Sequence, residues 1–467
     1  MTKIFSSIFA IALLIACAKN ASVKQSDDQF ANARKTYGQY CATCHGEKVE
    51  AFVDRKWKHG NDRDLIIASI TNGWLESGMP AWKGSIDEKG IAELADLIVH
   101  SLSTVDQYDF KEEERQETYV SEGMTLKLEP VIEDVSSPWG LVSLQDGSLL
   151  ISDRSGDLWK VAPDKSKTKI TGVPAVLAEG QGGLFDLKLH PNYAENGWIY
   201  ITYSKFKEEG DKTLATTAMI RGKIEGNTLV QKEDLFEALP YQATRHHYGG
   251  RMAFDDEGFL YISVGDRGNR DENPQSLENG CGKIHRLYDD GRIPADNPFV
   301  NTPNAVKSIW SFGHRNPQGL IYKPDTDEIW EHEHGPRGGD EVNIIKKGQN
   351  YGWPVISYGI NYDGTTFTSI TAKEDMLQPE LYWIPSIAPC GMTFVNSDKY
   401  PGWKGDILAG SLRFKYLNRC QIENDKIVGE SKELINVGRL RNVFEAADGY
   451  IYVGVENPGM VFRLIPQ

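Results

Sequence analysis

Hydrophobic spacing divides the chain into a short α-helical part and a longer β part. Within residues 30–103, apolar side chains recur at helical intervals in two stripes, which are Phe30, Ala33, Tyr37 and Tyr40, and Ile91, Leu94, Ala95, Ile98 and Leu102. From residue 123 onwards, short apolar or alternating runs follow glycine turns, as β-strands do. The sequence therefore predicts an all-α domain over residues 30–103, a charged linker over 104–122 and an all-β domain over 123–467.

The β part repeats one unit six times. Each copy is a turn residue, glycine in five of them, followed by a short apolar or alternating strand. The copies occupy residues 147–153, 197–203, 258–264, 327–333, 405–411 and 449–455. Their spacing suits a four-stranded blade with loops of variable length. A β-sandwich with repeated hairpins is the alternative, but a sandwich of this length is unusual. The repeat therefore predicts a six-bladed β-propeller.

The first 17 residues have the features of a lipoprotein signal peptide. Lys3 supplies positive charge, residues 4–16 form an apolar run too short to span a bilayer as a mature helix, and Cys17 ends a segment that resembles a lipobox. An ordinary secretory signal with a chance cysteine is the alternative. We expect an exported bacterial protein, periplasmic or attached to the outer membrane by lipid on Cys17, with residues 18–29 as a tether.

Charge and cysteine usage narrow the class of protein. The chain has 66 acidic and 51 basic residues and a formal net charge of -15, which argues against a nucleic-acid partner and suits an exported protein. Of the six cysteines, three remain after the signal peptide and the motif described next, namely Cys281, Cys390 and Cys420. At most one disulfide can form among them, and the sequence does not choose the pair.

A haem-attachment motif lies in the α-helical part. Cys41 and Cys44 have the spacing that lets two thiols reach the two vinyl groups of one porphyrin, and His45 then presents its imidazole to the iron. Met79 lies in a segment that resembles the methionine-ligand loop of class I cytochromes c, so we expect His45 and Met79 as the iron ligands of a haem c. A core methionine is the alternative for Met79.

Five segments of the β part carry polar groups at positions where the strands of a blade do not need them. They are residues 180–184, residues 245–251 with 264–268, residues 311–319, residues 333–341, and residues 410–413 with 439–441. Together they supply a histidine that can accept a proton, arginines whose forks match carboxylates, and glycine-flanked carbonyls beside acids that suit Ca²⁺. The segments predict a pocket for a polyanionic, metal-assisted redox cofactor, which the spacing alone does not name.

The same segments resemble those of soluble pyrroloquinoline quinone (PQQ)-dependent aldose sugar dehydrogenases, relatives of soluble glucose dehydrogenase. The resemblance covers about residues 125–467 and is closest in the runs Phe312–Gly319, Glu331–Glu341 and Asn350–Asp363. It implies an enzyme that oxidises aldoses at the anomeric carbon to lactones, with PQQ and Ca²⁺ as cofactors. Electrons would pass to the haem and then to a downstream cytochrome or oxidase.

The resemblance also implies residue roles. His247 would bind the sugar and act as the base, Gln181 would hold the sugar, and Arg315 would be catalytic and contact the quinone together with Asn316. The residues that would pair with cofactor carboxylates are Arg413, Arg439 and Arg441. Backbone oxygens of Gly335 and Pro336 would bind the cofactor-side Ca²⁺, and Glu341 and Tyr351 match a second Ca²⁺ site.

Two positions depart from glucose dehydrogenase, and two others have structural alternatives. Arg413 replaces a lysine, and His246 replaces an acid near the sugar, which leaves the sugar preference open. Asp266 could serve only as a turn cap. The Glu331–His334 run looks like a metal cluster, but we expect a solvated or hydrogen-bonded strand edge there.

Two further functions remain as alternatives. The first is a cofactor-free propeller that binds a glycan or a protein beside an electron-carrying cytochrome. The second is a lactonase-type propeller with one catalytic metal, which would have no use for a haem. The base and the arginine set favour the dehydrogenase.

Overall fold

The computed structural model describes residues 29–45, 48–55, 57–77, 79–106, 115–456 and 458–467. The chain divides into two compact units, one of Met1–Phe52 with Trp57–Ser103 and the other of Val53–Lys56 with Thr104–Gln467. The predicted signal peptide with Cys17, nearly all of the tether, and residues 107–114 of the linker lie outside the described residues. Within the described part, no helix is long and apolar enough to cross a membrane.

The first unit is α-helical, as predicted. Its described helices are α1 (Ala31–Tyr40), α2 (Ala42–His45), α3 (Arg63–Asn72) and α4 (Glu88–Asp106), with 3-10 turns at Val49–Asp54 and Leu75–Ser77. The two predicted stripes meet in one core, where Ala33 and Tyr37 of α1 pack with Leu94 and Ala95 of α4. Helix α3 contributes Ile66 and Ile70 to the same core.

The second unit consists of six antiparallel sheets. The first sheet contains β3 (Pro138–Ser143), β4 (Leu149–Asp153), β5 (Leu158–Val161) and β6 (Lys167–Ile170). The second contains β7 (Leu184–Leu189), β8 (Ile199–Glu209), β9 (Lys212–Glu225) and β10 (Thr228–Glu237). The third contains β11 (Met252–Phe254), β12 (Leu260–Val264), β13 (Lys283–Leu287) and β14 (Ile309–Phe312). A short helix, α5 (Tyr193–Asn196), precedes β8.

The next two sheets are β15 (Pro317–Lys323), β16 (Glu328–Glu333), β17 (Asp340–Ile345) and β18 (Leu381–Trp383); and β19 (Pro389–Phe394), β20 (Ile407–Ser411), β21 (Leu417–Glu423) and β22 (Lys426–Glu433). The sixth combines both ends of the chain, in the order β1 (Thr118–Ser121), β2 (Met124–Glu133), β25 (Met460–Pro466), β24 (Ile451–Glu456) and β23 (Arg439–Glu445). Pairing of β2 with β25, which sets Leu126 opposite Pro466, closes the ring of sheets.

The six-bladed propeller is confirmed. Strands β3, β7, β11, β15, β19 and β23 are neighbours in that order, and β23 returns to β3, so they form a closed inner ring. The six repeated units of the sequence are the second strands of the blades, namely β4, β8, β12, β16, β20 and β24. Most of their side chains are buried, because a second strand lies between two others and between neighbouring blades.

One arginine joins all six blades at the axis. Arg251, just before β11, donates to the carbonyl oxygens of Trp139, Gln318 and Arg441 at 2.9 to 3.1 Å. It also lies 3.3 Å from the Asp186 carboxylate and 3.7 Å from the Cys390 thiol. These residues belong to the other five inner strands.

No disulfide forms among the three remaining cysteines. Cys281, Cys390 and Cys420 are buried thiols on different parts of the propeller.

Candidate active site

A cavity of about 510 Å³ lies where the inner strands begin. Both aromatic and polar side chains line the cavity. The lining residues include Trp139, Arg154, Gln181, Phe185, Tyr248, Asn316, Gln318, His334, Arg413, Arg439, Arg441 and Glu456. All three arginines predicted to pair with cofactor carboxylates line this cavity, together with Gln181 and Asn316. Ring closure therefore gathers residues that are hundreds of positions apart in the chain.

The cavity is strongly positive. Arg439 and Arg441 donate to the two carboxylate oxygens of Glu456 at 3.3 and 2.8 Å. Burial opposes ionisation of Glu456, but the Arg441 guanidinium and its hydrogen bond lower the pKa of this carboxyl to about 2. Four arginines thus face one carboxylate. The imidazole of His334 is neutral, because burial lowers its pKa well below the usual range.

A histidine–aspartate pair lies next to the cavity: His247 and Asp266 are not among its lining residues, but Gln181 and Tyr248 beside His247 are. Nδ1 of His247 lies 2.7 Å from Oδ1 of Asp266, and the backbone N–H of His247 donates to the Gln181 side chain at 2.8 Å. His247 has φ of +54°, a left-handed conformation that is uncommon outside glycine. Asp266 also accepts from the N–H of Gly268 and from the indole N–H of Trp353, so it caps a turn as well as orienting the histidine.

The electrostatics leave His247 neutral. Burial and the positive charge of Arg315 lower its pKa to about 4, although the Asp266 carboxylate acts in the opposite direction. Because Nδ1–H donates to Asp266, the lone pair of the ring lies on Nε2. The predicted base is therefore an unprotonated nitrogen at neutral pH. His246 is exposed, and its ring meets His247 edge-on with centroids 4.6 Å apart.

Arg315 is held on both sides. Its Nη1 donates to the His334 carbonyl at 3.0 Å, and its Nη2 donates to the Tyr362 hydroxyl at 3.3 Å. Its Nε is buried and has no protein partner in the described chain, which leaves one donor for a bound molecule. Asn316 follows it, with its Oδ1 accepting from the backbone of Gly249 at 3.1 Å.

Three of the four residues of the two predicted Ca²⁺ sites line one small cavity of about 10 Å³, which Arg315 also lines and which is roughly the size that holds one water or ion. Gly335, Glu341 and Tyr351 line it, together with Glu333. Pro336 is not among its lining residues. The Tyr351 hydroxyl donates to the Ile344 carbonyl, so this side chain is already used within the fold.

A buried acidic cluster adjoins that small cavity. Ligand-type atoms of His314, Glu331 and Glu333 lie within 4.8 Å of one another, and Oε1 of Glu331 has no hydrogen-bond partner. Burial, followed by the nearby Glu333 carboxylate, raises the pKa of Glu331 and of Glu341 well above the usual range. Carboxylates arranged in this way suit a hard cation.

The sequence predicts a solvated or hydrogen-bonded strand edge at residues 331–334; the edge position and the solvation are wrong, but His332 and His334 are hydrogen-bonded. Strand β16 lies between β15 and β17, so the whole run is largely buried. His332 and His334 are hydrogen-bonded, to the carbonyls of Gly391 and Pro389 on the next blade at 2.9 and 2.7 Å. Glu331 and Glu333 alternate with them and belong to the acidic cluster.

The haem motif lies at the end of α1 and in α2. Cys41 is the C-cap of α1, and the N–H of His45 donates to its carbonyl at 2.9 Å. Cys41 and Met79 both pack against the core of this unit, and the His45 ring lies 5.1 Å from the ring of Phe52, which packs there too. Backbone bonds to Trp74 hold Met79 in place. The side chain of Cys44 lies outside the described residues.

Comparison with known proteins decides the family. The model of the Glucose / Sorbosone dehydrogenase family matches residues 135–463. The chain belongs to this family. An aldose sugar dehydrogenase of Escherichia coli is 39% identical over 354 residues, which cover 73% of this chain and 94% of that protein.

Solved members of the Glucose / Sorbosone dehydrogenase family have the same propeller. The apo-form of the soluble aldose sugar dehydrogenase from Escherichia coli matches with a TM-score of 0.70 and 36% identity, over 73% of this chain and all of that one. The PQQ-bound aldose sugar dehydrogenase of Streptomyces coelicolor matches with a TM-score of 0.60 and 26% identity, over 76% and 100%.

A second match covers the helical unit. The model of cytochrome c oxidase, cbb3-type, subunit III matches residues 28–98. This family member therefore joins a cytochrome c domain to a sugar dehydrogenase propeller.

Sequence reasoning missed several residues of the site. Arg154 and Glu456 line the cavity as single polar residues within ordinary strand-and-turn sequence, and no motif marks them, whereas Gln318 lies in the polar segment 311–319 without a predicted role. Arg154 holds the loop that carries Gln181 by donating to the carbonyls of Gly180 and Gly182. A charged residue at the end of an apolar strand, as in Glu456 at the end of β24, was the available signal.

Proposed function

We propose that this protein oxidises aldose sugars at the anomeric carbon to lactones, using PQQ, with haem c on the same chain as electron carrier. One observation supports this most directly: a neutral histidine, oriented by a buried carboxylate, borders a cavity lined by four arginines and a single carboxylate. A proton acceptor beside an anion-binding cavity is what alcohol oxidation with an anionic cofactor requires.

The cavity fits PQQ on charge and on shape. PQQ carries three carboxylates, and the four arginines exceed the Glu456 charge by three. The arginines that we propose to hold these carboxylates are Arg413, Arg439 and Arg441, since guanidinium forks match carboxylates. The rings of Trp139, Phe185 and Tyr248 offer apolar surface to a flat cofactor. When bound, PQQ supplies a two-electron acceptor for the sugar.

His247 would take the proton of the anomeric hydroxyl on Nε2. Asp266 keeps the ring in the required tautomer and stabilises the imidazolium that forms. Gln181 accepts from the His247 backbone, so its amide group lies beside the base and can orient the sugar. Arg315 and its free Nε–H stabilise negative charge that develops on bound oxygen, with Asn316 next to it.

Calcium would bind beside Arg315 and His334. The small cavity lined by Glu333, Glu341 and the backbone of Gly335 is of ion size, and the unpartnered Oε1 of Glu331 lies in the neighbouring cluster. We propose that Gly335 and Pro336 supply backbone oxygens to a Ca²⁺ at the cofactor, and that Glu341, with Tyr351, belongs to a second site. Bound Ca²⁺ supplies positive charge that polarises the cofactor.

The helical unit would carry haem c. Cys41 and Cys44 would form the thioether bonds, and His45 and Met79 would ligate the iron, since Cys41 and Met79 pack against one core. Haem c with a methionine ligand supplies a one-electron carrier of raised potential. We propose an exported, periplasmic protein held to the membrane by lipid on Cys17, and a downstream cytochrome or oxidase as acceptor.

Reconstitution tests the function. Purified protein is loaded with PQQ and Ca²⁺ and assayed with a panel of aldoses and a dye acceptor, with His247→Ala as the matched variant. The proposal predicts dye reduction that requires both cofactors and that is lost in the variant. Sugar binding without oxidation under these conditions would instead support the alternative of a binding module.

A further inference from the structure

One long loop joins β17 to β18 and contacts both Arg315 and the Asp266 carboxylate that orients His247. Residues 346–380 form this loop, and its buried Trp353 donates from the indole N–H to Oδ2 of Asp266 at 2.8 Å. Phe367 packs edge-on against the Trp353 ring, with centroids 5.3 Å apart. The loop is therefore anchored on the carboxylate that orients the base.

The tip of the loop is a fixed turn. The N–H of Asn361 donates to the Thr365 carbonyl and that of Gly364 to the Asn361 carbonyl, both at 2.9 Å. Arg270, which lies in the segment 266–270 after β12, donates to the Asn361 side chain at 2.7 Å. The Cζ atom of its guanidinium lies 4.7 Å from the centroid of the Phe367 ring. These bonds hold the tip against the segment that carries Asp266.

Tyr362 projects from this tip with its ring in solvent. It is 71% exposed and is the most exposed aromatic residue in the part of the chain that the structure describes. Its hydroxyl accepts from Nη2 of Arg315 at 3.3 Å, so the ring stands beside the catalytic arginine. Tyr362 belongs to none of the hydrophobic core clusters in the described part of the chain, so core packing does not explain why an aromatic side chain occupies this position.

We propose that Tyr362 is a sugar-binding residue, which stacks its ring on the apolar C–H face of the pyranose that presents its anomeric hydroxyl to His247. An aromatic ring that is fixed at one end by a polar bond and exposed on its face is suited to a ligand that is apolar on one side and polar at its rim. The hydroxyl bond also positions Arg315. This inference rests on the proposed function, and it adds a residue that binds the sugar.

Steady-state kinetics of the reconstituted protein test it. Tyr362→Ala, Tyr362→Phe and the control Ile370→Ala, an exposed residue of the same loop, are compared with glucose and with maltose. Tyr362→Ala should raise KM by about tenfold for both sugars with a smaller change in kcat. Tyr362→Phe keeps the ring and should hold KM within about twofold of wild type, while Ile370→Ala should match wild type.

Three results would overturn the inference. One is an unchanged KM in Tyr362→Ala, and another is an equal rise of KM in Tyr362→Phe, which would assign the effect to the hydroxyl. The third is wild-type protein that oxidises no aldose, which would overturn the proposed function as well. Melting temperatures of all variants should agree, because the Tyr362 ring is in solvent, so a rise in KM would not reflect unfolding.

Discussion

Nδ1 of His247 lies 2.7 Å from Oδ1 of Asp266, and Oδ2 of the same carboxylate accepts from Trp353 at 2.8 Å. Asp266 is 1% exposed. Burial alone would raise the pKa of this carboxyl, but its hydrogen bonds, led by the bond from His247, lower it. The pair therefore consists of a charged carboxylate and a neutral imidazole at neutral pH, with Nε2 as the base.

Replacing the carboxylate should disable the base. An asparagine at position 266 can donate to Nδ1 and so place the ring proton on Nε2, which cannot then accept one. We expect Asp266→Asn to lower turnover by about 10²- to 10⁴-fold while PQQ affinity stays near wild type. The control is Asp255→Asn, which affects a turn cap at the opposite end of β12 that accepts from Phe259. Equal activity of Asp266→Asn and wild type would remove Asp266 from the mechanism.

The pH dependence of kcat/KM should show the low pKa of His247. The base is active when neutral, so activity is lost as the pH falls through its pKa of about 4. Above about pH 6, protonation of this histidine should no longer affect kcat/KM. Asp266 raises this pKa, so Asp266→Asn should move the acid limb to lower pH. The measurement is a pH profile with circular dichroism at each pH. An acid limb centred near the ordinary histidine value would contradict the described burial.

The arginines of the cavity should determine cofactor affinity. Arg441 is 14% exposed and bonds to Glu456, so its charge lies close to any carboxylate in the cavity. Loss of one charge-assisted contact in Arg441→Met should weaken PQQ binding by about 10- to 100-fold. Quenching of tryptophan fluorescence by PQQ measures this affinity. Arg463→Met, which breaks a pair with Glu129 between β25 and β2, is the control. Unchanged affinity in Arg441→Met would place PQQ elsewhere.

Arg251 should be a main determinant of propeller stability. Its guanidinium is buried and bonds to all five neighbouring inner strands, so its loss leaves several buried carbonyls and the Asp186 carboxylate unpaired. We expect Arg251→Met to lower the free energy of unfolding by about 3–5 kcal/mol in urea titrations. Arg292→Met, which breaks an exposed pair with Asp290, should leave the free energy of unfolding close to that of wild type. A similar small loss in both variants would refute the role of Arg251.

The fold was largely predictable because one strand of every blade has the same surroundings. The second strands, such as β12, are mostly buried and follow a turn, so hydrophobicity marks all six and a preceding glycine marks five of them. Outer strands such as β10 face solvent along most of their length and carry no such signal.

The site was predictable only where residues lie in motifs. His247, Arg315 and Arg441 belong to polar runs that resemble a known family, and the structure places each of them at or beside the cavity. Glu456 was harder to predict because it lies outside the polar runs: Arg441 contacts it across the pair of strands β23 and β24, and Ser137 meets it only when the last blade packs against the first. The Glu331–His334 run looks like a metal cluster in the sequence, but its burial was not predicted, because alternate residues of β16 face different neighbours and the sequence of one strand does not show which neighbours cover it.

Haem reduction by sugar is the most direct test of the account. Protein loaded with PQQ and Ca²⁺ is mixed with an excess of aldose in a stopped-flow instrument without oxygen, and the haem absorbance is followed at protein concentrations that span about tenfold. The account predicts full haem reduction, absent in His247→Ala, at a rate that does not depend on protein concentration, because the propeller and the haem share one chain. A haem that stays oxidised while the sugar is consumed, or a rate proportional to protein concentration, would contradict it.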